Sequence, residues 1–289
     1  MRIIATADLH YDIARSRGPT LRLAEEVCDL DADVLLLLGD VAGRDPEVTL
    51  ECLHLFDRFR GRKFFVAGNH DIWIDPGGDS VRRLEEDLPA VCRAADFQAL
   101  DAEPAVLGSV GIVGSIGWYD FSFRPARLGI PLRFYREKIA PGAAARLPAY
   151  QYLVEDRSDI PEHAFQIGTR WMDGEHARLL MSDLDFCHRL LGRLEDHLAR
   201  VERKAERVFV GLHHLPLWRM VPYTERPSWA FASAFLGSEL FGEILLDHPQ
   251  VRYAVCGHSH KPDRFSHAHF ECVNVGCTYL AKRYEIIEL

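Results

Sequence analysis

Five short polar segments carry most of the chemistry that this 289-residue chain could perform. They are Asp8-Leu9-His10, Gly39-Asp40, Gly68-Asn69-His70-Asp71, His213-His214-Leu215-Pro216 and Gly257-His258-Ser259-His260. Carboxylates, imidazoles and an amide oxygen form a mixed N/O donor set, which suits Mn, Fe, Zn or Co without selecting one. The chemistry such donors support is metal-assisted hydrolysis. Two ions about 3.5–4 Å apart acidify a water and clamp the attacking and leaving oxygens of a phosphoester. One Asp or His after a strand is usually a turn former, so the weight lies in the whole set.

Each segment directly follows, or ends, an apolar run that reads as a buried strand. Arg2–Ala7 precedes the first, Val34–Leu38 the second, Phe64–Ala67 the third, Val208–Leu212 the fourth and Val251–Cys256 the fifth. In an open α/β sheet, ligands gather outside the carboxyl ends of the strands, and loops held by a rigid scaffold carry function. The first third alternates strands (2–7, 34–38, 63–67) with helices near 18–30, 46–60 and 80–94, which predicts βαβ units and a mostly parallel sheet. Ala105-Val106-Leu107 and Val110–Val113, split by Gly108-Ser109, predict a hairpin. From Trp118 to about Arg170 periodicity disappears while aromatic residues abound, so this stretch reads as an ordered insertion over the mouth of the site.

A long helix is predicted over 174–205. Leu180, Leu184, Cys187, Leu191, Leu194, Leu198 and Val201 form a narrow apolar stripe that packs along a sheet or cap. Asp183-Leu184-Asp185 then falls mid-helix on a solvated face. Strand 207–212, a helix near 237–247, strand 251–256 and closing strands near 268–275 and 283–288 complete the reading. Residues 1–289 are expected to form one domain, with a cap insertion at about 118–205.

The ordered series D-x-H, G-D, G-N-H-D, H-H-x-P and G-H-x-H resembles the signature of the calcineurin-like metallophosphoesterases, and it spans residues 8 to 260. A lone D-x-H would be weak evidence; the five-part order is specific. The resemblance implies a layered α/β fold, with two central mixed β-sheets flanked by helices. It implies one metal held by Asp8, His10, Asp40 and His260, a second held by Asp40, Asn69, His213 and His258, and Asp40 as the bridge. It implies a phosphatase or phosphodiesterase in which a metal-bridging hydroxide attacks phosphorus in line, with His70 assisting the leaving group. A protein phosphatase, a nuclease of the same superfamily and a non-catalytic scaffold are the rivals.

Several residues admit two readings. The H-H-x-P pattern favours His213 over His214 as the ligand. Asp71 contacts backbone or orients His70, and Asp12 and Asp45 are near enough to partner imidazole N–H groups. His267-Ala268-His269 reads as an i, i+2 pair on a strand without a ligand's strand-end position. Arg124, Arg127, Arg133 and Arg136 either meet a substrate anion or pair with Glu137, Asp156 and their neighbours. Trp218, Tyr223, Trp229 and Phe231 are expected to wall the pocket.

Composition narrows the partners. A formal charge of −9 argues against long nucleic acid, since gripping phosphates calls for a basic face. No run approaches the roughly 18 apolar residues of a membrane span, and a cytoplasmic location is expected. The seven cysteines show no C-x-x-C spacing, so they read as small apolar residues in a reducing compartment.

Overall fold

The computed structural model describes residues 1–289. Its first part contains β1 (Arg2–Thr6), α1 (Ala14–Cys28), β2 (Val34–Leu38), α2 (Pro46–His54), β3 (Arg62–Val66), α3 (Ser80–Arg82), α4 (Leu88–Ala94), β4 (Gln98–Ala99), β5 (Ala105–Leu107) and β6 (Val110–Ser115). An excursion with only short helices follows: α5 (Leu132–Arg136), α6 (Pro141–Ala144) and α7 (Asp173–His176). Then come α8 (Asp183–Glu202), β7 (Arg207–Leu212), α9 (Pro227–Ala232), α10 (Glu239–Asp247), β8 (Val251–Cys256), β9 (Asp263–His267), β10 (Phe270–Asn274) and β11 (Glu285–Glu288).

The strands build two mixed sheets. One has the order β11-β1-β2-β3-β4, with only the edge strand β11 antiparallel, and the other β5-β6-β7-β8-β10-β9, with both edge strands, β5 and β9, antiparallel. The two-residue period of a strand divides their apolar residues between two cores. Ile3, Ala5, Leu36 and Phe64 of the first sheet meet Ile112, Phe209, Val255 and Val273 of the second in a small core between the sheets. Their alternates Ile4, Leu35, Leu37 and Phe65 join α1 (Val27), α2 (Leu53) and α4 (Cys92) in the larger outer core. Strands buried on both faces read as unbroken apolar runs, which is why β2 is Val-Leu-Leu-Leu-Leu.

The expected helix over 174–205 is broken. Ser182 caps α8, its hydroxyl accepting from the Asp185 N–H at 3.1 Å, and Leu180 lies outside at φ +57° and 80% exposed. The buried stripe therefore starts later and includes Phe186, Leu190, Leu194, Leu198 and Val201. Asp183 is not on a solvated mid-helix face. It begins the helix, buried, and accepts from Trp118 Nε1 at 3.0 Å and Lys138 Nζ at 2.6 Å. Val201 packs directly on Gly111 of β6, so α8 belongs to the layer flanking the second sheet, and residues 118–182 form the excursion. Most of its aromatic residues are buried, Trp118, Tyr119, Phe121, Phe134 and Tyr135 among them.

Other boundaries moved too. α2 stops at His54, and a π turn over Arg83–Asp87 interrupts the helix expected at 80–94. The sequence reading lacked β4 and β9. Ala268, at φ +50°, is the hairpin corner between β9 and β10, so His267 and His269 do not share a strand face.

Candidate metal centre

The predicted residues converge because the strands before them are parallel and adjacent. Asp8 follows β1, Asp40 follows β2, Asn69 and His70 follow β3, His213 follows β7, and His258 and His260 follow β8. Backbone bonds tie the loops together: Asp8 N–H to Gly39 O at 2.9 Å and His10 N–H to Asp40 O at 2.8 Å. The Asp40 and Asp8 carboxylates do the same, since His70 N–H donates to Asp40 Oδ1 at 2.9 Å and His258 N–H to Asp8 Oδ1 at 3.0 Å.

This convergence strains the backbone. Five of the ten non-glycine residues with positive φ are Asp8, His10, Asp40, His258 and His260, between +44° and +67°. Each costs about 1–3 kcal/mol, and such outliers gather where a side chain must be aimed at a site. The motif glycines have a separate cause. A Cβ on Gly39 would lie 2.6 Å from His213 Cγ, one on Gly68 2.9 Å from Asp40 Cγ, and one on Gly257 2.6 Å from Asp8 Oδ2. Each glycine leaves the space that a candidate donor side chain from a neighbouring loop occupies.

Three trios could hold ions: Asp8, His10 and His260; His10, Asp40 and His70; and Asp40, His213 and His258, with ligand atoms inside 4.8 Å in each. Asp40 belongs to two of them, its Oδ1 3.4 Å from His213 Nε2 and its Oδ2 3.7 Å from His10 Nε2. On one side His10 Nε2 and His260 Nε2 stand 3.4 Å apart, with His260 Nε2 3.5 Å from Asp8 Oδ1. On the other side His213 Nε2 faces Asn69 Oδ1 at 3.2 Å.

Backbone carbonyls orient the rings. His213 Nδ1 donates to Leu38 O at 2.9 Å, and His258 Nε2 lies 3.3 Å from Phe235 O. With Nδ1–H so committed, a neutral His213 presents a lone pair toward two oxygens, an arrangement that a cation or a proton resolves. Burial opposes charge on His213, yet Asp40 and Asp8 outweigh it and hold that imidazole at about 9. Burial likewise works against the Asp40 carboxylate, but His213, His70 and His10 keep its pKa well below the usual range. Burial pushes Asp8 up, partly opposed by His260 and His213, and drives His10 and His258 well below an ordinary imidazole. The donor set and its mutual repulsions fit a pair of metal ions.

His70 lies on the open side, its Nε2 3.9 Å from Asp40 Oδ2 and its ring stacked on Trp73 at 3.7 Å. Asp71 contacts backbone: it accepts from Gly68 N–H at 2.8 Å, Val41 N–H at 3.1 Å and Ala42 N–H at 3.1 Å, clamping two loops together. His214 turns from the cluster, Nδ1 to Ile116 O at 2.9 Å, with its ring 4.3 Å from His258.

The remaining candidates take structural places. Asp45 caps α2, accepting from Glu47 N–H at 2.9 Å, and Asp12 packs against Gly43, so the backbone carbonyls of Leu38 and Phe235 rather than these carboxylates lie against the imidazoles. Arg133 forks onto Asp159 at 2.5 and 2.7 Å, while Arg124 and Arg127 donate to the Phe121 and Thr224 carbonyls. Phe231 is buried against Tyr135 at 4.7 Å, whereas Trp218, Tyr223 and Trp229 are exposed. The residue that the sequence reading missed outright is Asp173. It lies beside Asn69, Trp73 and Tyr119, all distant in the chain, and beside Trp171 two residues before it, and no local pattern marks it.

A family model described as calcineurin-like phosphoesterase matches residues 1–262. No curated protein matches the chain in sequence. Among solved structures, the chain is similar to phosphopantetheinyl hydrolase from Mycobacterium tuberculosis, with a TM-score of 0.69 at 17% identity over 96% of this chain and 89% of that one. It is also similar to a dimetal phosphatase from Danio rerio, with a TM-score of 0.58 at 14% identity over 100% and 92% of the two chains. At these identities the likeness is one of fold, and it agrees with two mixed sheets flanked by helices. Together, the family match and the His/Asp clusters point to a dinuclear metal site.

Proposed function

The chain belongs to the calcineurin-like phosphoesterase family, and from that premise we propose that it hydrolyses a small or medium phosphomonoester or phosphodiester at a two-metal site. The observation that carries the reading is the placement of Asp40, whose two oxygens face different histidine clusters. Asp8, His10, Asp40 and His260 would hold one ion, and Asp40, Asn69, His213 and His258 the other. When bound, such a pair supplies a hydroxide nucleophile for in-line attack at neutral pH and offsets charge on the phosphoryl oxygens.

The remaining work falls to side chains. Leu38 O and Phe235 O fix the rings of His213 and His258, so their lone pairs need no reorganisation. Asp71 clamps the loops carrying Asp40 and Asn69. His70, held flat against Trp73 and partly open to solvent, can give a proton from Nε2 to the leaving oxygen, a role worth about 10²–10⁴-fold.

The net charge of −9 favours a small ester over long nucleic acid. No helix is long and apolar enough to cross a membrane, and seven free cysteines, six of them buried, fit a reducing cytoplasm.

The test is metal content with turnover of p-nitrophenyl phosphate and bis-p-nitrophenyl phosphate on Mn-reconstituted protein, for wild type and Asp40→Ala. Two ions per chain and turnover that depends on Asp40 are expected, and the preferred ester separates phosphatase from phosphodiesterase. A phosphopeptide, single-stranded DNA and a phosphopantetheinyl substrate extend the panel to the alternatives. Wild-type protein that takes up no metal would overturn the reading.

A further inference from the structure

We propose that Asp173 is a positioning residue of this site, one that selects which end of the Asn69 amide faces the His213 and Asp40 donors. The inference deepens the two-metal reading above and rests on it. Asp173 begins α7, at the far end of the excursion, and is 1% exposed. Its Oδ1 accepts from Asn69 Nδ2 at 2.8 Å and from Trp73 Nε1 at 2.7 Å. Its Oδ2 accepts from Trp171 Nε1 at 2.7 Å and from Tyr119 OH at 3.1 Å.

An asparagine amide has an acceptor end and a donor end of nearly identical shape, so only its partners determine which way it points. By taking the Nδ2 hydrogen, Asp173 leaves Asn69 Oδ1 directed at His213 Nε2, 3.2 Å away. Without that carboxylate the amide could turn and present N–H donors to a cation, which none can ligate. The same carboxylate also holds the two indoles that back the histidines. Trp73 stacks on His70 at 3.7 Å and 24°, and Trp171 meets His258 edge-on at 5.8 Å and 85°. One buried side chain from the excursion thus sets an amide oxygen and two ring walls. Losing such an outer partner typically weakens metal binding 10–100-fold.

The experiment is stepwise Mn binding, by calorimetry and metal analysis, on wild type, Asp173→Ala, Asp173→Asn and Tyr119→Phe. The step that Asn69→Ala removes identifies the ion on that side, and near-UV circular dichroism reports the fold. Asp173→Ala should weaken that one step roughly 10–100-fold and leave the other at its wild-type value. Asp173→Asn, which keeps one acceptor oxygen, should fall between. Tyr119→Phe, which removes a donor only from Oδ2, should bind both ions as wild type does. Unchanged constants in folded Asp173→Ala would overturn the proposal, and so would equal weakening of both steps, which general loosening would produce. If the alanine variant does not fold, Asp173→Asn carries the test by the same criteria. A wild-type chain that binds fewer than two ions would instead sink the two-metal reading.

Discussion

Gly257 tests the idea that the motif glycines exist to make room for ligands. Its φ is not positive, so alanine brings no backbone strain there, and any effect comes from volume alone. The added Cβ would stand 2.5 Å from Ala7 Cβ and 2.6 Å from Asp8 Oδ2, where ordinary contact begins at 3.4 Å. Ala7 belongs to the packed core between the sheets, which cannot yield cheaply. The Asp8 carboxylate must therefore give by roughly 0.8 Å, away from the His258 N–H that it accepts at 3.0 Å. A displacement near 1 Å costs on the order of 10²-fold in rate, and overpacking costs about 1–3 kcal/mol of stability. Gly257→Ala should show both, read as kcat/KM on the preferred nitrophenyl ester and as urea unfolding, with metal lost first from the Asp8 side. Turnover within threefold of wild type, with full metal content and an unchanged urea midpoint, would refute the space-filling argument.

Gly192 is the matched contrast. It sits inside α8 with nothing within 4 Å of its would-be Cβ, so Gly192→Ala should stabilise the protein by about 0.5–1 kcal/mol in urea without touching metal content. His70→Ala should retain both ions yet lose about 10²–10⁴-fold in rate, most for esters with poor leaving groups; loss of an ion would reassign His70 to the metal shell. Asp101, buried between the Ala67 and Ile116 N–H groups, has its carboxyl pushed up by burial from 3.8 to about 6. The native state therefore holds a proton between about pH 4 and 6 that the unfolded chain releases. Its stabilisation is complete below about pH 4 and is lost as pH rises through 6, at most about 3 kcal/mol. The stability gap between wild type and Asp101→Asn should shrink by up to that amount from pH 4 to pH 7, and a constant gap would show that Asp101 keeps its ordinary pKa.

What was legible in the sequence follows from which constraints are local. Strands buried on both faces leave no choice but apolar runs, so β1, β2, β3, β7 and β8 could be read from composition. Metal chemistry restricts donors to a few residue types, so the segments after those strands could be read as well. β4 is two residues long and β9 is Asp-Arg-Phe-Ser-His, so neither offers a period to detect. The misread helix shows one local signal overriding another. Leu180 continues the leucine spacing by coincidence, whereas Ser182 with Asp185 three residues later marks the true start. The motif glycines were legible as pattern, but their reason, a neighbour's side chain in the missing volume, requires the fold. Asp173 left no signal because three of its four donors come from positions 69, 73 and 119, and only Trp171 is near it in sequence.

The excursion is therefore better understood as a fixed wall than as a lid. Two buried carboxylates bind it to the layered core. Asp173 reaches the loop after β3 through Asn69 and Trp73, and Asp183, at the start of α8, holds Trp118 and Lys138. Trp118 in turn stacks on Tyr119 at 4.6 Å and meets His214 at 5.2 Å, directly behind the donors. Opening the wall would strip acceptors from buried indole, amide and ammonium donors at once, each worth about 1–3 kcal/mol when left unpaired. A substrate must then enter on the side that the wall leaves free, where His70 and His260 retain 19% and 25% exposure and Tyr279 flanks His10 at 4.8 Å and His260 at 5.3 Å. Selectivity on that side would come from the shape of a standing opening, and substitutions at Tyr279 should change KM more than kcat, the reverse of the pattern expected for His70.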